Sequence, residues 1–95
     1  MENYQITHHP DRHRFETEVD GFIGYVTYEL DGDKLYLTHT IVDRPIEGRG
    51  VGNALVKSCF EYAKQHHLKV VPVCAYSEVW VKRHPEYESM VARLY

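Results

Sequence analysis

The chain has few of the features that mark a secreted, membrane-spanning or nucleic-acid-binding protein. It carries two cysteines in 95 residues. These are too few for the disulfide framework of a small secreted protein, so we interpret both as reduced thiols. No apolar run approaches the roughly 18 residues of a membrane span, and the first residues do not resemble a signal peptide. A net charge of −3 argues against nucleic acid, because binding phosphates requires clustered Lys and Arg. These absences predict a cytoplasmic protein with neither a membrane nor a nucleic acid as partner.

Metal-binding patterns are also missing. Two adjacent histidine pairs occur, His8-His9 and His66-His67, but they have neither the i, i+4 helical spacing nor the Cys or Asp partners of a zinc site. We therefore expect no metal. What remains is an ordinary globular composition, 43% apolar and 26% charged, which predicts a single domain over residues 1–95.

Three segments in the first half of the chain have the pattern of antiparallel strands. Charged and apolar residues alternate from Arg14 to Val19, which is the period of a half-buried strand. Turns at Asp20-Gly21 and at 31–33 separate this segment from "FIGYVTYEL" and "KLYLTHTIV". We predict an antiparallel meander over 14–42, preceded by a short strand near 4–7. The residues expected on one face of the last strand are Leu35, Leu37, His39 and Ile41.

The second half changes to a helical period. From Val51 to His67 the apolar residues, Cys59 among them, fall on about half of the helix circumference, which predicts one helix lying on the sheet. "LKVVPVCAY" follows as an apolar strand, parallel to the strand before the helix because a helical crossover joins them. Ser77 is the expected N-cap of a short helix that the His84-Pro85 step interrupts. A last helical segment is expected at 86–94, which makes the chain α+β.

Gly48, Gly50 and Gly52 alternate immediately before the long helix. A helix N-terminus carries about half a positive charge and unpaired N–H groups, and glycines before it let a phosphate approach those donors. Arg49 can add a side-chain contact. The alternative is a tight strand-to-helix connection that binds nothing.

The spacing of these glycines matches neither of two common nucleotide-binding loop patterns. Gly52 is followed by Asn53-Ala54 rather than by Lys and Ser or Thr, which excludes a phosphate-binding loop of the Walker A type. The dinucleotide fingerprint needs a different glycine spacing after a strand of a parallel sheet. The remaining common user of such a loop is the pyrophosphate of coenzyme A.

The segment "EGRGVGNALV" resembles the acyl-CoA loop of the GNAT N-acetyltransferase superfamily, whose pattern is Gln/Arg-x-x-Gly-x-Gly/Ala. Gly50 and Gly52 match, whereas Glu47 stands where the wider superfamily has Gln or Arg. The chain is more similar still to a subgroup of very small, single-domain GNAT-like proteins. In that subgroup the loop recurs together with an apolar "VVPxC" strand and a terminal "RHPEY", and the match spans residues 24 to 91.

The resemblance implies a GNAT-like fold, in which the strand before the loop and the strand after the helix splay apart and pantetheine inserts between them. Pro72 would suit the point where pairing ends, because proline has no N–H to donate; the alternative there is an ordinary bulge. The resemblance also implies acetyl-CoA or coenzyme A as co-substrate and an unidentified amine as acceptor. The residues expected to contact coenzyme A are Ile41, Val42, Gly48, Arg49, Gly50, Val51, Gly52, Asn53, Cys74 and Arg83.

Transfer of an acetyl group to an amine requires a base and a group that assists the leaving thiolate. His39 is the first candidate for the base, because its ordinary pKa near 6.5 suits proton transfer; the alternative is a structural histidine. The resemblance marks Cys74 as an active-site residue, either as acid or as a transient acyl-cysteine, against the alternative of a buried core thiol. Trp80 stands where the superfamily often has a tyrosine that acts as the general acid. Tyr76 and Tyr87 are therefore the alternative candidates for that role.

Three functions fit the sequence. The first is an acyl-CoA-dependent N-acyltransferase, expected to be a monomer or weak dimer. The second is a non-catalytic module that binds coenzyme A or senses acetyl-CoA. The third is an interaction domain whose glycine loop is empty.

Overall fold

The computed structural model of the protein describes residues 3–93, and its five strands form one sheet in the order in which they occur along the chain. The first four strands are antiparallel neighbours, and the fifth runs parallel to the fourth. The strands are β1 (Thr7–His9), β2 (Arg14–Val19), β3 (Phe22–Asp31), β4 (Lys34–Val42) and β5 (Lys69–Pro72). The predicted meander and the parallel crossover are confirmed, while the first strand lies later than the predicted 4–7.

Tight turns set the register of the meander. Asp20 and Gly21 both have positive φ angles, 53° and 83°, as the two central residues of a type I′ hairpin turn require. Gly32, with φ of 61°, provides the same freedom between β3 and β4. The second turn is one residue shorter than expected, because Asp31 belongs to β3.

Two helices pack side by side on one face of the sheet. They are α1 (Val51–Gln65) and α2 (Ala75–Arg83). Short 3₁₀ turns complete the fold at Pro10–Arg12, Arg44–Ile46 and Pro85–Met90. None of the helices within residues 3–93 is both long and apolar enough to cross a bilayer.

The core lies between α1 and the sheet. Burying each large apolar side chain there contributes about 1.5–3 kcal/mol. The helix buries Val51, Gly52, Leu55, Val56, Cys59, Phe60 and Ala63, and they meet Phe15, Val26, Tyr28, Leu35 and Leu37 of the sheet. Cys59 is fully buried, as predicted, and burial raises the pKa of its thiol.

The ladder between β4 and β5 ends early. Leu37 pairs with Pro72, which is the last residue of β5, but β4 continues to Val42. The backbone N–H groups of Val73 and Cys74 both donate to the carbonyl oxygen of Leu37, each at 3.0 Å, and the chain then turns away. The two strands are therefore splayed beyond Pro72, at the residue whose missing N–H suits the end of a ladder.

The predicted boundary between β5 and α2 is wrong. The sequence placed Ser77 at the N-cap, but the helix begins at Ala75 and Cys74 is the N-cap, with φ −75° and ψ 145°. The Ser77 hydroxyl lies inside the first turn and donates to the carbonyl oxygen of Cys74 at 2.9 Å. The double hydrogen bond to Leu37 ends the strand before its apolar pattern ends, which no periodicity could reveal.

An extra residue in β4 interrupts the register with β3. Thr27 pairs with His39, whereas Tyr28 pairs with Leu37, so Thr38 has no residue opposite it. The Thr38 hydroxyl donates to the carbonyl oxygen of Thr27 at 3.1 Å, which supports this β-bulge. A bulge shifts the alternation of side chains by one residue.

The bulge corrects the predicted face of β4. Directly opposed residues share a face, and Thr40 is opposite the fully buried Val26, so Thr40 faces the helices. His39 and Ile41 were expected to share a face with the buried leucines of β4, but both are exposed on the uncovered face of the sheet. Alternation alone could not predict this, because the sequence carries no mark of the bulge.

Candidate functional site

A cavity of about 480 Å³ opens between the end of β4, the glycine loop and the start of α2. We call it the loop cavity. Its lining residues are Thr40, Val42, Ile46, Glu47, Gly48, Gly50, Val51, Gly52 and Tyr76. Five of the residues expected to contact coenzyme A are among them: Val42, Gly48, Gly50, Val51 and Gly52.

Three backbone amides at the start of α1, two of them on residues that line this cavity, have no protein acceptor within residues 3–93. Gly50 is the N-cap, no side chain caps the helix, and the first helical bond runs from the Ala54 N–H to the Gly50 carbonyl at 3.0 Å. Within residues 3–93 the N–H groups of Val51, Gly52 and Asn53 therefore have no hydrogen-bond partner. Such a turn binds anions, because its donors and the helix dipole both favour negative charge.

The three glycines serve two different purposes. Gly48 and Gly50 have φ angles of 77° and 82°, and a Cβ at either would have no atom within 4 Å. Their conformation favours glycine, and the space beside them is open. At Gly52, by contrast, a Cβ would lie 2.6 Å from the Tyr76 hydroxyl oxygen. Gly52 is therefore explained by the close approach of Tyr76.

Arg49 holds the loop against the sheet. Its guanidinium pairs with Asp20 in the β2–β3 turn at 2.8 Å, and the Tyr4 hydroxyl donates to its carbonyl oxygen. In this arrangement Arg49 positions the glycines. Glu47, which also lines the cavity, is exposed, so water screens its unfavourable charge toward a phosphate.

Cys74 lies where the splayed strands separate. Its Sγ is 3.3 Å from Thr40 Oγ1 and 3.0 Å from the buried Ser77 Oγ. The thiol is thus part of a short chain of polar groups that joins β4 to the first turn of α2. Cys74 is partly buried, and it does not itself line the loop cavity, which it reaches only through its contact with Thr40.

His39 and Ile41 are not part of the loop cavity. They lie on the uncovered face, where His39 is in one row with Thr27 and Arg14 across the sheet and Ile41 is 45% exposed. The two expected catalytic side chains therefore lie on opposite faces of the sheet: His39 on the uncovered face and Cys74 on the face that carries the helices.

The remaining expected residues surround α2. Trp80 is buried and donates from Nε1 to Asn53 Oδ1 at 2.7 Å, and Arg83 lines a groove next to the loop cavity. Tyr87 donates to Glu61 at 2.8 Å, and burial, with a smaller effect of Glu61, raises the pKa of Tyr87 to about 12. Tyr87 does not line the loop cavity, which leaves Tyr76 as the phenol beside the site.

Sequence reasoning did not predict three of the lining residues: Thr40, Ile46 and Glu47, the last of which was noted only as a departure from the superfamily pattern. Thr40 faces the cavity only because of the bulge at Thr38, so no pattern could have found it. Ile46 is 1% exposed in the 3₁₀ turn before the glycines, and an apolar residue in that polar loop was an available signal. No group of three or more His, Cys, Asp or Glu side chains between residues 3 and 93 is arranged to hold a metal ion.

Comparison with known proteins identifies a family and several relatives. A family model described as GCN5-related N-acetyl-transferase matches residues 14–90. Protein NATD1 of Gallus gallus and protein NATD1 of Xenopus tropicalis are each 29% identical over 84 residues, which cover 85% of this chain and 76% and 77% of those proteins. Protein NATD1 of Mus musculus is 27% identical over the same length.

A solved structure is similar over the whole fold. The solution structure of a GCN5-like protein from Staphylococcus aureus superposes with a TM-score of 0.76, at 24% sequence identity, and the match covers 100% of this chain and 94% of that one. At this identity the likeness bears on the fold alone, and it confirms the predicted α+β class with a GNAT-like arrangement.

Proposed function

The chain belongs to the GCN5-related N-acetyltransferase family, and we propose that it is an acyl-CoA-dependent N-acyltransferase that moves an acetyl group from acetyl-CoA to an amine. The observation that carries the proposal is the pair of features at one end of the sheet. Unpartnered amides open α1, and Cys74 and Thr40 meet where β4 and β5 separate.

The residues of the loop cavity suit coenzyme A. A pyrophosphate can accept hydrogen bonds from the amides of Val51, Gly52 and Asn53, and the positive φ angles at Gly48 and Gly50 leave the approach free of side chains. Val42 and the backbone of Ile41 border the splay, where the pantetheine arm is expected. Residues 1–95 form the single domain that we propose carries this activity.

The acceptor must lose a proton before it attacks. A lysine-like amine has a pKa near 10.4, so at pH 7 its neutral form costs about 4.6 kcal/mol. We assign the base to His39, which is exposed on the uncovered face and so accessible to an acceptor that approaches opposite the helices. General base catalysis of this kind contributes typically 10²–10⁴-fold.

The transfer then exchanges one bond for another. The neutral amine nitrogen forms a bond to the thioester carbonyl carbon, the C–S bond breaks, and the coenzyme A sulfur leaves with the bonding electron pair. The acylated nitrogen releases its extra proton to water. We assign Cys74 as the acid that protonates the thiolate, and it recovers a proton from the same solvent. The alternative, an acyl-cysteine intermediate, predicts that acetyl-CoA alone adds an acetyl group to the protein.

A second function is favoured by specific observations. His39 and Cys74 lie on opposite faces of the sheet. Trp80 is buried, and the Tyr87 hydroxyl is hydrogen-bonded to Glu61. These placements also suit a non-catalytic module that binds coenzyme A.

Turnover separates the two functions. The protein is incubated with acetyl-CoA and a panel of primary amines, and free thiol is measured over time. We expect release of coenzyme A that depends on the amine. Binding of coenzyme A without release above buffer hydrolysis would favour the non-catalytic module, and no binding would contradict both.

A further inference from the structure

Thr40 is the side chain through which Cys74 reaches the loop cavity. Cys74 does not line that cavity, whereas Thr40 does, and Thr40 Oγ1 lies 3.3 Å from Cys74 Sγ. Thr40 also stands on the stretch of β4 that β5 no longer pairs, because the ladder ends at Leu37 and Pro72. Its hydroxyl therefore lies between the thiol and the space where the coenzyme A sulfur is expected.

We propose that Thr40 is a catalytic residue that relays a proton from Cys74 to the leaving coenzyme A thiolate. The inference rests on the proposed function, because it requires that acetyl-CoA is cleaved in the loop cavity. Cys74 remains the source of the proton, and Thr40 becomes the group that touches the donor.

Ser77 fixes the thiol at the start of this path. Its side chain is fully buried, and its hydroxyl donates to the Cys74 carbonyl oxygen at 2.9 Å. A hydroxyl has one hydrogen to donate, so Ser77 Oγ, which lies 3.0 Å from Cys74 Sγ, is left to accept from the thiol. In the free protein the S–H group is therefore directed at Ser77, and Thr40 donates to the sulfur.

Two bond rotations convert this resting arrangement into a relay. When the C–S bond of the donor breaks, the coenzyme A sulfur keeps the bonding pair, and the Thr40 hydroxyl turns toward it. The Thr40 O–H bond breaks as the S–H bond of coenzyme A forms, and the Cys74 S–H bond breaks as the Thr40 O–H bond is restored. Cys74 is left as a thiolate, which takes a proton from water. Because the two protons move together, one thiolate replaces another and Thr40 never becomes an alkoxide.

Tyr76 is the rival proton donor among the residues that line the loop cavity. The lining residues with polar side chains are Thr40, Glu47 and Tyr76, and a carboxylate accepts hydrogen bonds rather than donating them. The Tyr76 phenol lies over the first turn of α1, where a Cβ on Gly52 would be 2.6 Å from its oxygen. The pyrophosphate is expected at that turn, whereas Thr40 adjoins Cys74. Position therefore favours Thr40 as the group at the leaving sulfur.

The test measures the release of coenzyme A in a single turnover, with acetyl-CoA and the primary amine of the panel above that gives the fastest release. Thr40→Val removes the hydroxyl and nearly preserves the shape of the side chain, whereas Thr40→Ser keeps the hydroxyl. Thr17→Val is the matched control, because Thr17 also lies in a strand and its hydroxyl donates to the Gln5 carbonyl oxygen at 2.7 Å, outside the cavity.

We expect only the loss of the Thr40 hydroxyl to slow the reaction. Thr40→Val should slow release by about 10²-fold, the lower end of the range for general acid catalysis. Thr40→Ser should stay within about threefold of the wild type, and the affinity of both variants for coenzyme A within about twofold, because the relay acts in the transition state. Thr17→Val should release coenzyme A at the wild-type rate.

A double variant distinguishes one relay from two separate effects. Cys74→Ala should also slow release by about 10²-fold. If both side chains belong to one path, Cys74→Ala combined with Thr40→Val should be no slower than either single variant, because groups that act as a unit are not additive. Independent effects would multiply to about 10⁴-fold and would overturn the relay.

Three further results would overturn the proposal. An unchanged rate in Thr40→Val would remove Thr40 from the reaction, and a loss in Tyr76→Phe without one in Thr40→Val would assign the acid to the phenol. Equal losses in Thr40→Val and Thr40→Ser would reduce Thr40 to a packing role. A wild type that binds coenzyme A but releases none above buffer hydrolysis would contradict the proposed function itself, and the relay with it.

Discussion

His8 joins the first strand to the aromatic core. Its ring stacks on Phe15 with centroids 4.2 Å apart, its Nε2 lies 2.6 Å from the Tyr28 hydroxyl, and the Tyr62 ring meets its edge. Burial lowers the pKa of His8 below 6.5, with smaller contributions from His66 and His9. Burial likewise raises the pKa of Tyr28 to about 12, so the Tyr28 hydroxyl stays protonated and can donate to a neutral imidazole.

This pKa shift predicts that acid destabilises the fold. The unfolded chain takes up a proton at His8 near pH 6.5, whereas the folded protein resists it, so the stabilisation is complete above that pH and is lost as the pH falls toward the lowered pKa. We expect the free energy of unfolding in urea to be smaller at pH 5.0 than at pH 7.5. His8→Phe, which keeps a ring between Phe15 and Tyr62, should reduce this difference. An equal pH dependence in both proteins would exclude His8 as its source.

Cys74 and His39 are predicted to act in turnover rather than in binding. Cys74→Ala and His39→Ala should each lower kcat by about 10²-fold, while the affinity for coenzyme A stays within about twofold. His67→Asn is the control, because His67 is exposed with a φ of 56°, a conformation that asparagine tolerates. Unchanged kcat in both variants would remove these two residues from the mechanism. A stable acetyl adduct on Cys74 would replace the acid with the covalent route.

At the scale of elements, the glycine loop and α1 form the unit on which binding depends. Gly50 and Gly32 offer a matched pair, since both have positive φ, 82° and 61°, and open space where a Cβ would lie. Gly50→Ala and Gly32→Ala should therefore each cost about 1–2 kcal/mol of stability through strain. Only Gly50→Ala should also weaken coenzyme A binding, since Gly32 lies in the β3–β4 turn. Equal affinity in the two variants would show that the loop conformation is irrelevant to binding.

The elements were largely predictable from the sequence, because their patterns are local. Alternation and paired turn residues predicted β2, β3 and β4, and the apolar stripe predicted α1. The end of β5 was not predictable, since the hydrogen bonds from Val73 and Cys74 to Leu37 are long-range contacts. The bulge at Thr38 was equally unpredictable from the sequence. Because it shifts the alternation of side chains, Thr40 rather than His39 faces the cavity.

The candidate site was predictable only in part for the same reason. Glycine spacing identified the loop, and Val42, Gly48, Gly50, Val51 and Gly52 do line one cavity. Spacing could not reveal that Tyr76, from a different helix, lies against Gly52 and accounts for that glycine. It could not reveal either that Asp20, in a distant turn, engages Arg49.

For the molecule as a whole, the described residues form one compact body. The radius of gyration is 12.6 Å, close to the value expected for a single domain of this length. One face of the sheet carries both helices and the loop cavity, and the opposite face carries His39. This division gives the proposed donor and acceptor separate approaches to the splay between β4 and β5.

The most direct test titrates coenzyme A into the ¹⁵N-labelled protein and follows the backbone amides by NMR, to locate the proposed phosphate site at the start of α1. We predict that the largest shifts fall on the amides of Val51, Gly52 and Asn53, where unpartnered N–H groups meet the phosphates, and that the β3–β4 turn at Gly32 does not respond. Saturable shifts confined to another surface, or no shifts at millimolar coenzyme A, would contradict phosphate binding at the start of α1 and the activity proposed from it.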